Sequence, residues 1–242
     1  MLNGLSLFSG IGGIDVGLSK WVRPIMYCEI DRYCQGVLGT RMRSGDLPIA
    51  PIWDDVKSLN GNRLRGMVDI IFGGFPCQDI SVAGDGEGLD GERSGLFFEI
   101  ARLVSEIRPR FVFLENVSAI TVRGLDRVCG EFSELRYDCR WGLLSAFDVG
   151  EVHQRERWFM LAHSNSEGLE GSAEGIDLGG EGEKLEKHTS RLSPSIRSKE
   201  AISEYLREHD GSPKYMDRIR CLGNGCVPQQ AEEAFKRLMG LK

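Results

Sequence analysis

Cys77 is the side chain of this protein best suited to covalent chemistry. It follows Pro76 shortly after the apolar run at residues 68–72, which is typical of a buried strand. A cysteine at the end of a strand, held by a proline-fixed turn, can face a cleft as a thiolate nucleophile. A free cysteine taken at random is more often a small buried core residue. The interpretation of Cys77 therefore depends on the polar residues that accompany it.

Two further strand-like runs end or begin at charged residues. Glu115 directly follows the apolar residues 111–114, and Arg155 and Arg157 come just before residues 158–161. A carboxyl group at the end of a buried strand is costly unless it is paired or functional. Partial desolvation would raise its pKa and let it donate a proton near neutral pH. The arginines could hold a carboxylate, a phosphate or a base carbonyl, although either could equally form a surface ion pair.

A glycine-rich turn follows the first strand-like run and includes Phe8, Gly10 and Gly12. Such a turn lets the backbone approach a ligand closely and leaves amide groups free to hold it. Glu29 ends the second run, where a carboxylate can bind ribose hydroxyls. Asp15 occupies the third glycine position of the dinucleotide fingerprint, which argues against a nicotinamide dehydrogenase. The pattern indicates a nucleoside ligand, whose base Asp55 could contact unless Asp55 is only a helix cap.

The elements that must position these residues alternate along the first two-thirds of the chain. Short continuous apolar runs separated by helical periods predict an α/β fold with an open, mostly parallel Rossmann-like sheet covered on both faces. Ligands of such sheets lie beyond the carboxyl ends of the strands, where each candidate residue falls. The predicted strands are residues 5–8, 24–30, 68–72, 111–114 and 158–161, and the predicted helices are 14–20, 32–41, 96–107 and 229–239.

The composition changes near residue 163. Residues 1–162 are predicted to form the core, residues 163–215 a small irregular insertion rich in Gly, Ser and Glu that is solvated or partly disordered, and residues 216–242 a return to the core. A second polar, glycine-rich stretch at residues 81–95 follows Cys77. It could close over a site and exclude water, or be an ordinary surface loop.

Bulk properties restrict the classes of protein further. No basic-then-apolar leader and no apolar stretch of roughly 20 residues is present, so we expect a cytoplasmic protein with no membrane partner. The seven cysteines include no C-x-x-C pair and no neighbouring histidines, which predicts reduced thiols and no metal. The net charge of −6 is unusual for a nucleic-acid enzyme, because basic groups normally neutralise phosphates.

Together these motifs resemble the cytosine-5 DNA methyltransferase family, over residues 4–161 and 216–239. Pro76-Cys77-Gln78 is similar to the family's nucleophile motif, and Glu115-Asn116-Val117 to its catalytic glutamate motif. The segment ending at Arg157 resembles a Gln-x-Arg-x-Arg motif with His153 in place of the glutamine. Residues 222–228 resemble the closing motif, with Gly225-Cys226 in place of the more frequent small-residue-then-Val pair.

The resemblance implies that the cofactor is S-adenosyl-L-methionine. The residues it assigns to cofactor binding are Phe8, Gly10, Ile11, Gly12, Glu29, Ile30, Asp55, Val56, Pro76, Leu96 and Asn224. It implies a monomer acting on double-stranded DNA, with the target cytosine flipped out of the duplex. Gln78, Ser81 and Asn116 would contact the DNA or the base, and residues 81–95 would form the lid.

The resemblance also assigns the catalytic roles. Cys77 would attack carbon 6 of cytosine so that carbon 5 can accept a methyl group. Glu115 would hydrogen-bond ring nitrogen 3, Arg155 would contact the carbonyl at carbon 2, and Arg157 would support the site.

The family's target-recognition region would here be only residues 163–216, acidic in its first half. This departure leaves two alternatives open, a transfer-RNA cytosine-5 methyltransferase and a catalytically inactive relative that binds cofactor or DNA. The recognition sequence, and whether the protein serves restriction-modification, a phage or regulation, stay open.

Overall fold

The computed structural model describes residues 1–76, 95–165, 173–178 and 225–241. Its strands are β1 (Leu2–Leu7), β2 (Val22–Cys28), β3 (Ile52–Trp53), β4 (Ile70–Gly74), β5 (Phe111–Val117), β6 (Tyr137–Ser145), β7 (Glu156–Ser164) and β8 (Ala173–Gly175). Its α-helices are α1 (Gly13–Gly17), α2 (Arg32–Ser44), α3 (Leu96–Ile107), α4 (Ile120–Arg123), α5 (Leu125–Glu134) and α6 (Pro228–Met239). No helix in these ranges is long and apolar enough to cross a membrane.

The strands form one open sheet in the order β3-β2-β1-β4-β5-β7-β6-β8. The first five strands in this order pair in parallel, whereas β7 runs antiparallel to both β5 and β6. The predicted open, mostly parallel α/β sheet is thus confirmed. Because β7 is reversed, its start lies at the same edge as the carboxyl ends of the parallel strands. That edge carries the candidate residues.

Helices cover both faces of the sheet, as continuous apolar strands require. On one face, α3 and α5 bury Phe97 and Phe132 against strand residues such as Trp158. On the other face, α1 and α6 bury Leu18 and Phe235 with residues of β4, β5 and β7. Helix α6 begins with a proline and ends at Gly240, whose φ of 67° is the left-handed conformation that suits a glycine C-cap.

Part of the predicted insertion joins the sheet. Strand β8 pairs in parallel with β6, and Leu178 is fully buried in the core of the α6 face. Arg237 Nη1 of α6 donates a hydrogen bond of 2.6 Å to the Leu178 carbonyl. Strand β7 also continues through Ser164, past the predicted end of the core at residue 162. The rest of the insertion, residues 166–172 and 179–215, lies outside the described residues.

Candidate active site

A cavity of about 490 Å³ opens at the carboxyl edge of the parallel strands. Its wall combines the glycine-rich turn after β1, the ends of β2, β4 and β5, the start of β7 and the segment before α6. Of the predicted site residues it is lined by Phe8, Gly10, Ile11, Glu29, Ile30, Asp55, Val56, Pro76, Leu96, Glu115, Asn116 and Arg157. The fold therefore brings together residues more than 140 positions apart in the chain.

The glycine-rich turn is held in an unusual backbone conformation. Phe8, Gly10 and Gly12 have φ values of 51°, 54° and 83°. A positive φ is uncommon for a bulky residue such as Phe8, and such strain concentrates at functional sites. A Cβ on Gly10 would meet no atom within 4 Å, whereas one on Gly12 would lie 2.7 Å from a Leu47 methyl carbon. Gly12 thus allows close packing behind the turn and does not line the cavity, so its contact with a cofactor stays a prediction.

Glu29 ties the glycine-rich turn to the end of β2. Its Oε2 accepts a hydrogen bond of 2.7 Å from the Gly10 amide, and its Oε1 accepts one of 2.8 Å from the Asp31 amide. Burial raises the pKa of Glu29, and these backbone hydrogen bonds act in the opposite direction. Its carboxylate lines the cavity at the place where ribose hydroxyls bind in related sheets.

Asp55 is a helix cap that also lines the cavity, and its contact with a nucleoside base stays a prediction. Its Oδ1 accepts a hydrogen bond of 2.9 Å from the Lys57 amide and so caps the short 3₁₀ helix Val56–Ser58, yet it also lines the cavity. Asp54 and Asp31 line the cavity as well, although sequence reasoning missed them. They could have been found from the sequence, because Asp54 directly precedes Asp55 and Asp31 lies two residues after Glu29.

Glu115 forms a buried ion pair with Arg157. The distance from Arg157 Nε to Glu115 Oε1 is 2.8 Å, and both side chains are largely buried. Burial raises the pKa of Glu115, while Arg157 and then Arg155 lower it. A Cβ on Gly74 would approach Glu115 Oε2 to 2.5 Å, so a larger residue here would displace the carboxyl. The carboxyl therefore lies in a tightly enclosed place in which it can keep a proton.

The two arginines differ in their position relative to the cavity, and their predicted roles toward a base stay predictions. Arg157 lines the cavity, whereas Arg155 does not and donates a hydrogen bond of 2.8 Å from Nη2 to the Gly225 carbonyl. Pairing of β5 with β7 sets Arg157 opposite Val117, two residues beyond Glu115 on the same face. Arg155 precedes β7, so the pleat of the strand does not direct its side chain.

Asn116 is buried and holds backbone near the cavity. Its Nδ2 donates a hydrogen bond of 3.3 Å to the Phe75 carbonyl, and its Oδ1 accepts one of 2.8 Å from the Val117 amide. These contacts connect β5 with the segment that ends at Pro76, the residue before Cys77. A contact of Asn116 with DNA or with the base stays a prediction.

Four predicted site residues, Cys77, Gln78, Ser81 and Asn224, lie outside the described residues, as does the predicted lid up to residue 94. Sequence reasoning did not single out Gly225 and Cys226 as cavity-lining residues, although both occur in the predicted closing motif. In the part of the chain that is described, no group of three or more His, Cys, Asp or Glu side chains could hold a metal ion.

The protein is an open α/β sheet with a cavity at the carboxyl edge of its parallel strands. That cavity is large enough for a nucleoside and contains a buried carboxyl–arginine pair. The chain belongs to the family described as C-5 cytosine-specific DNA methylase, whose model matches residues 2–236. The resemblance inferred from the motifs is thereby confirmed.

The chain is similar to two curated type II methyltransferases. It is 36% identical to M.CviJI of Paramecium bursaria Chlorella virus IL3A over 159 residues, which cover 65% of this chain and 42% of the relative. It is 34% identical to M.HhaI of Haemophilus parahaemolyticus over 166 residues, covering 66% and 49% of the two chains. The chain thus spans about half the length of the curated relatives it matches.

Among solved structures, a variant of Spodoptera frugiperda DNMT2 aligns with a TM-score of 0.57. The alignment covers 73% of this chain and 55% of the other at 17% identity, and it supports the fold alone.

Proposed function

We propose that this protein transfers a methyl group from S-adenosyl-L-methionine to carbon 5 of a flipped-out cytosine in double-stranded DNA. The observation that carries the proposal is the Glu115–Arg157 pair of 2.8 Å, which lies in the same cavity as the glycine-rich turn. One cavity thus combines a proton donor for a base with a place for a nucleoside cofactor. Pro76, the residue before Cys77, lines it too.

The residues present fit the proposed cofactor. The free space at Gly10 and the positive φ values of the turn allow a ligand to approach the backbone. We assign Glu29 to the ribose hydroxyls and Asp55 to the base, with Phe8, Ile11, Ile30, Val56, Pro76 and Leu96 as further contacts and Asn224 completing the pocket. When bound, the cofactor supplies an electrophilic methyl group on a sulfonium centre.

Cys77 starts the chemistry in this proposal. Its thiolate forms a bond to carbon 6 of cytosine, which makes carbon 5 nucleophilic. Carbon 5 would accept the methyl group that the bound cofactor supplies, and the sulfur would keep the electron pair of the broken bond. The proton on carbon 5 would then pass to water, and the bond between carbon 6 and Cys77 would break to restore the thiolate.

Glu115 and Arg157 stabilise the cytosine during these steps. Burial raises the pKa of Glu115, so that it can hold a proton and donate it to ring nitrogen 3. We assign the contact with the carbonyl at carbon 2 to Arg157, because Arg157 lines the cavity and Arg155 bonds the Gly225 carbonyl instead. This exchanges the roles that the sequence suggested for the two arginines.

The remaining assignments follow the same reaction. The protein would act as a monomer on double-stranded DNA in the cytoplasm, with Gln78, Ser81 and Asn116 near the flipped nucleotide. The base must leave the duplex because Cys77 cannot reach carbon 6 within the base stack.

Expression in a host that lacks cytosine methylation, followed by bisulfite sequencing, tests the proposal. We expect a recurring methylated sequence with the wild type and none with the Cys77→Ser variant. Soluble wild-type protein that leaves the DNA unmethylated would contradict the proposal. Parallel transfer of labelled methyl to DNA and to total tRNA separates the RNA alternative. A duplex containing 5-fluorocytosine should trap the wild type covalently, whereas an inactive relative would bind cofactor without forming the adduct.

A further inference from the structure

Gln230 of α6 is a fully buried amide that bonds two strand carbonyls at once. Its exposed fraction is 0%. Its Nε2 donates hydrogen bonds of 2.9 Å to the Leu144 carbonyl and 2.8 Å to the Arg155 carbonyl. Among the described residues, its Oε1 has no hydrogen-bond partner, so the side chain acts through its Nε2 donor. The Gln230 side chain therefore connects a carbonyl of β6 to the carbonyl of the residue that precedes β7.

The two carbonyls lie where β6 and β7 meet at the catalytic edge. Leu144 pairs with Arg157 and Ser145 with Glu156 in the antiparallel ladder. The Arg155 carbonyl also accepts a hydrogen bond of 3.1 Å from the Ala146 amide. Gln230 therefore bridges β6 and the residue before β7 at the end of this ladder. The bridged residue, Arg155, lies two positions before Arg157.

The C-terminal segment also engages the Arg155 side chain. Arg155 Nη2 donates to the carbonyl of Gly225, only five residues before Gln230 in the chain. Arg155 is thus held at its backbone by α6 and at its guanidinium by the segment that leads into α6. A change in either contact would alter the position of the backbone that presents Arg157.

The position of these arginines determines how tightly Glu115 holds its proton. Burial raises the pKa of Glu115, and the opposing effect comes first from Arg157 and then from Arg155. The Coulomb attraction of a buried pair falls as its separation grows. Loosening the arginines would therefore raise the pKa of Glu115 further.

We propose that Gln230 is a positioning residue that, through the Arg155 backbone, fixes the two arginines relative to the Glu115 carboxyl. The assignment of Glu115 as the donor to cytosine rests on the function proposed above, whereas the electrostatic link from Gln230 to Glu115 does not. Helix α6 is in this view part of the machinery that tunes the catalytic acid, although Gln230 touches neither cofactor nor base.

The direct test is the titration of Glu115 by carbon-13 NMR in protein labelled at glutamate carboxyls, with Glu115→Gln identifying the signal. Gln230→Met keeps the length of the side chain and removes its donor. Gln229→Met is the matched control, because Gln229 is the adjacent, exposed glutamine of the same helix. We expect the pKa of Glu115 to rise by about half a unit to one unit in Gln230→Met and to be unchanged in Gln229→Met.

Several results would overturn the inference. One is a folded Gln230→Met protein whose Glu115 titrates as in the wild type. Gln230→Asn, which keeps a shorter amide, takes its place if the methionine variant does not fold. In the wild type the Gln230 side-chain amide must exchange slowly with solvent, and fast exchange would refute the contact without any variant.

A second measurement uses single-turnover methyl transfer to DNA as a function of pH. The alkaline limb of the rate should move upward in Gln230→Met by the same amount as the NMR titration, because protonated Glu115 is the donor. A merely destabilised protein would lose amplitude with the limb unmoved. If the wild type methylated no DNA while the NMR shift appeared, the proposed function would fail and the positioning role would stand.

Discussion

Glu115 is a carboxyl whose environment acts on its proton in two directions. Burial favours the neutral form, and Arg157, with Arg155 behind it, favours the charged form. Burial prevails, so the pKa is raised. An acid that donates a hydrogen bond near neutral pH needs such a balance. If the arginines outweighed burial, they would lower the pKa and the carboxyl would lose its proton at neutral pH.

The two arginines should differ in their importance for activity. Arg157→Lys removes the planar donor beside Glu115, and we expect single-turnover methyl transfer to fall by about tenfold to a hundredfold, the worth of a hydrogen bond between charged groups. Arg155→Lys should have a smaller effect, because Arg155 does not line the cavity and its side chain donates to the Gly225 carbonyl. Rapid-quench assays on both variants provide the comparison. A greater loss with Arg155→Lys would restore the roles suggested by the sequence.

Asp15 of α1 makes a testable contribution to the pH dependence of stability. Burial raises its pKa from 3.8 to about 7, against opposing effects of Ser6 and Arg41. The folded protein therefore keeps a proton that the unfolded chain releases between these values. The stabilisation is complete below the unfolded pKa and is lost as pH rises toward 7, at about 1.4 kcal/mol per pH unit.

Asp15→Asn should remove this slope. Urea unfolding from pH 5 to 8 should show the wild type losing stability relative to Asp15→Asn up to about pH 7, beyond which the difference is constant. Asp126→Asn, on an exposed part of α5, is the control and should follow the wild type. Parallel curves for wild type and Asp15→Asn would mean that Asp15 is ionised in the fold.

Most of the predicted site residues that the structure describes line the cavity. They were predictable because a carboxyl group or a glycine-rich turn at the end of a strand can be recognised in the sequence. That Arg157 lines the cavity and Arg155 does not was not predictable, because it depends on the register of β7 against β5. The role of Gln230 was not predictable from the sequence either. Only the packed structure shows that its amide is buried against the carbonyls of two strands.

At the scale of elements, α1 and the C-terminal segment pack backbone against backbone. A Cβ on Gly13 would lie 2.5 Å from the Cys226 carbonyl oxygen, and one on Gly17 would lie 2.4 Å from that of Pro228. The side of α1 that faces the C-terminal segment therefore accepts only glycine at these positions. This contact joins the helix after the glycine-rich turn to the helix that carries Gln230.

Gly17→Ala should test this contact. The methyl group would overlap the Pro228 carbonyl, so we expect unfolding to become easier by about 1–3 kcal/mol. Gly36→Ala on exposed α2 has free space around its Cβ and should instead stabilise by about 0.5–1 kcal/mol, since alanine favours the helix. Chemical denaturation measures both. Equal effects of the two substitutions would show that α1 and α6 can separate at little cost.

The strands and helices with continuous apolar runs were predictable, and their bounds agree to within a few residues. Strand β6 was missed because its pattern places Asp138 and Arg140 between buried residues, which weakens the apolar signal. Strand β8 was missed because its three residues, Ala173, Glu174 and Gly175, are all exposed and form no apolar run. Its position comes from pairing with β6, which is a property of the sheet rather than of the segment.

At the scale of the whole molecule, the cavity links distant parts of the chain. Its wall runs from Phe8 near the start to Cys226 near the end and includes residues of both sheet halves. A ligand that fills it must therefore stabilise the entire sheet rather than one loop.

Hydrogen exchange with and without S-adenosylhomocysteine should reveal this coupling. At a ligand concentration 100 times Kd, we expect about 2.7 kcal/mol of added protection, shared by amides of β2 and α6. Glu29→Gln should need more ligand for the same protection. Protection confined to residues 8–13 would show that the cavity wall does not open as one cooperative unit.

The reversed direction of β7 has a consequence for how the sequence can vary. A slip of one residue in β7 would turn Arg157 to the opposite face of the sheet and away from Glu115. Residues 147–153 connect β6 to β7 beyond the last paired rung and take no part in that pairing. Insertions and deletions should thus be excluded from the nine residues of β7, since each would shift this register.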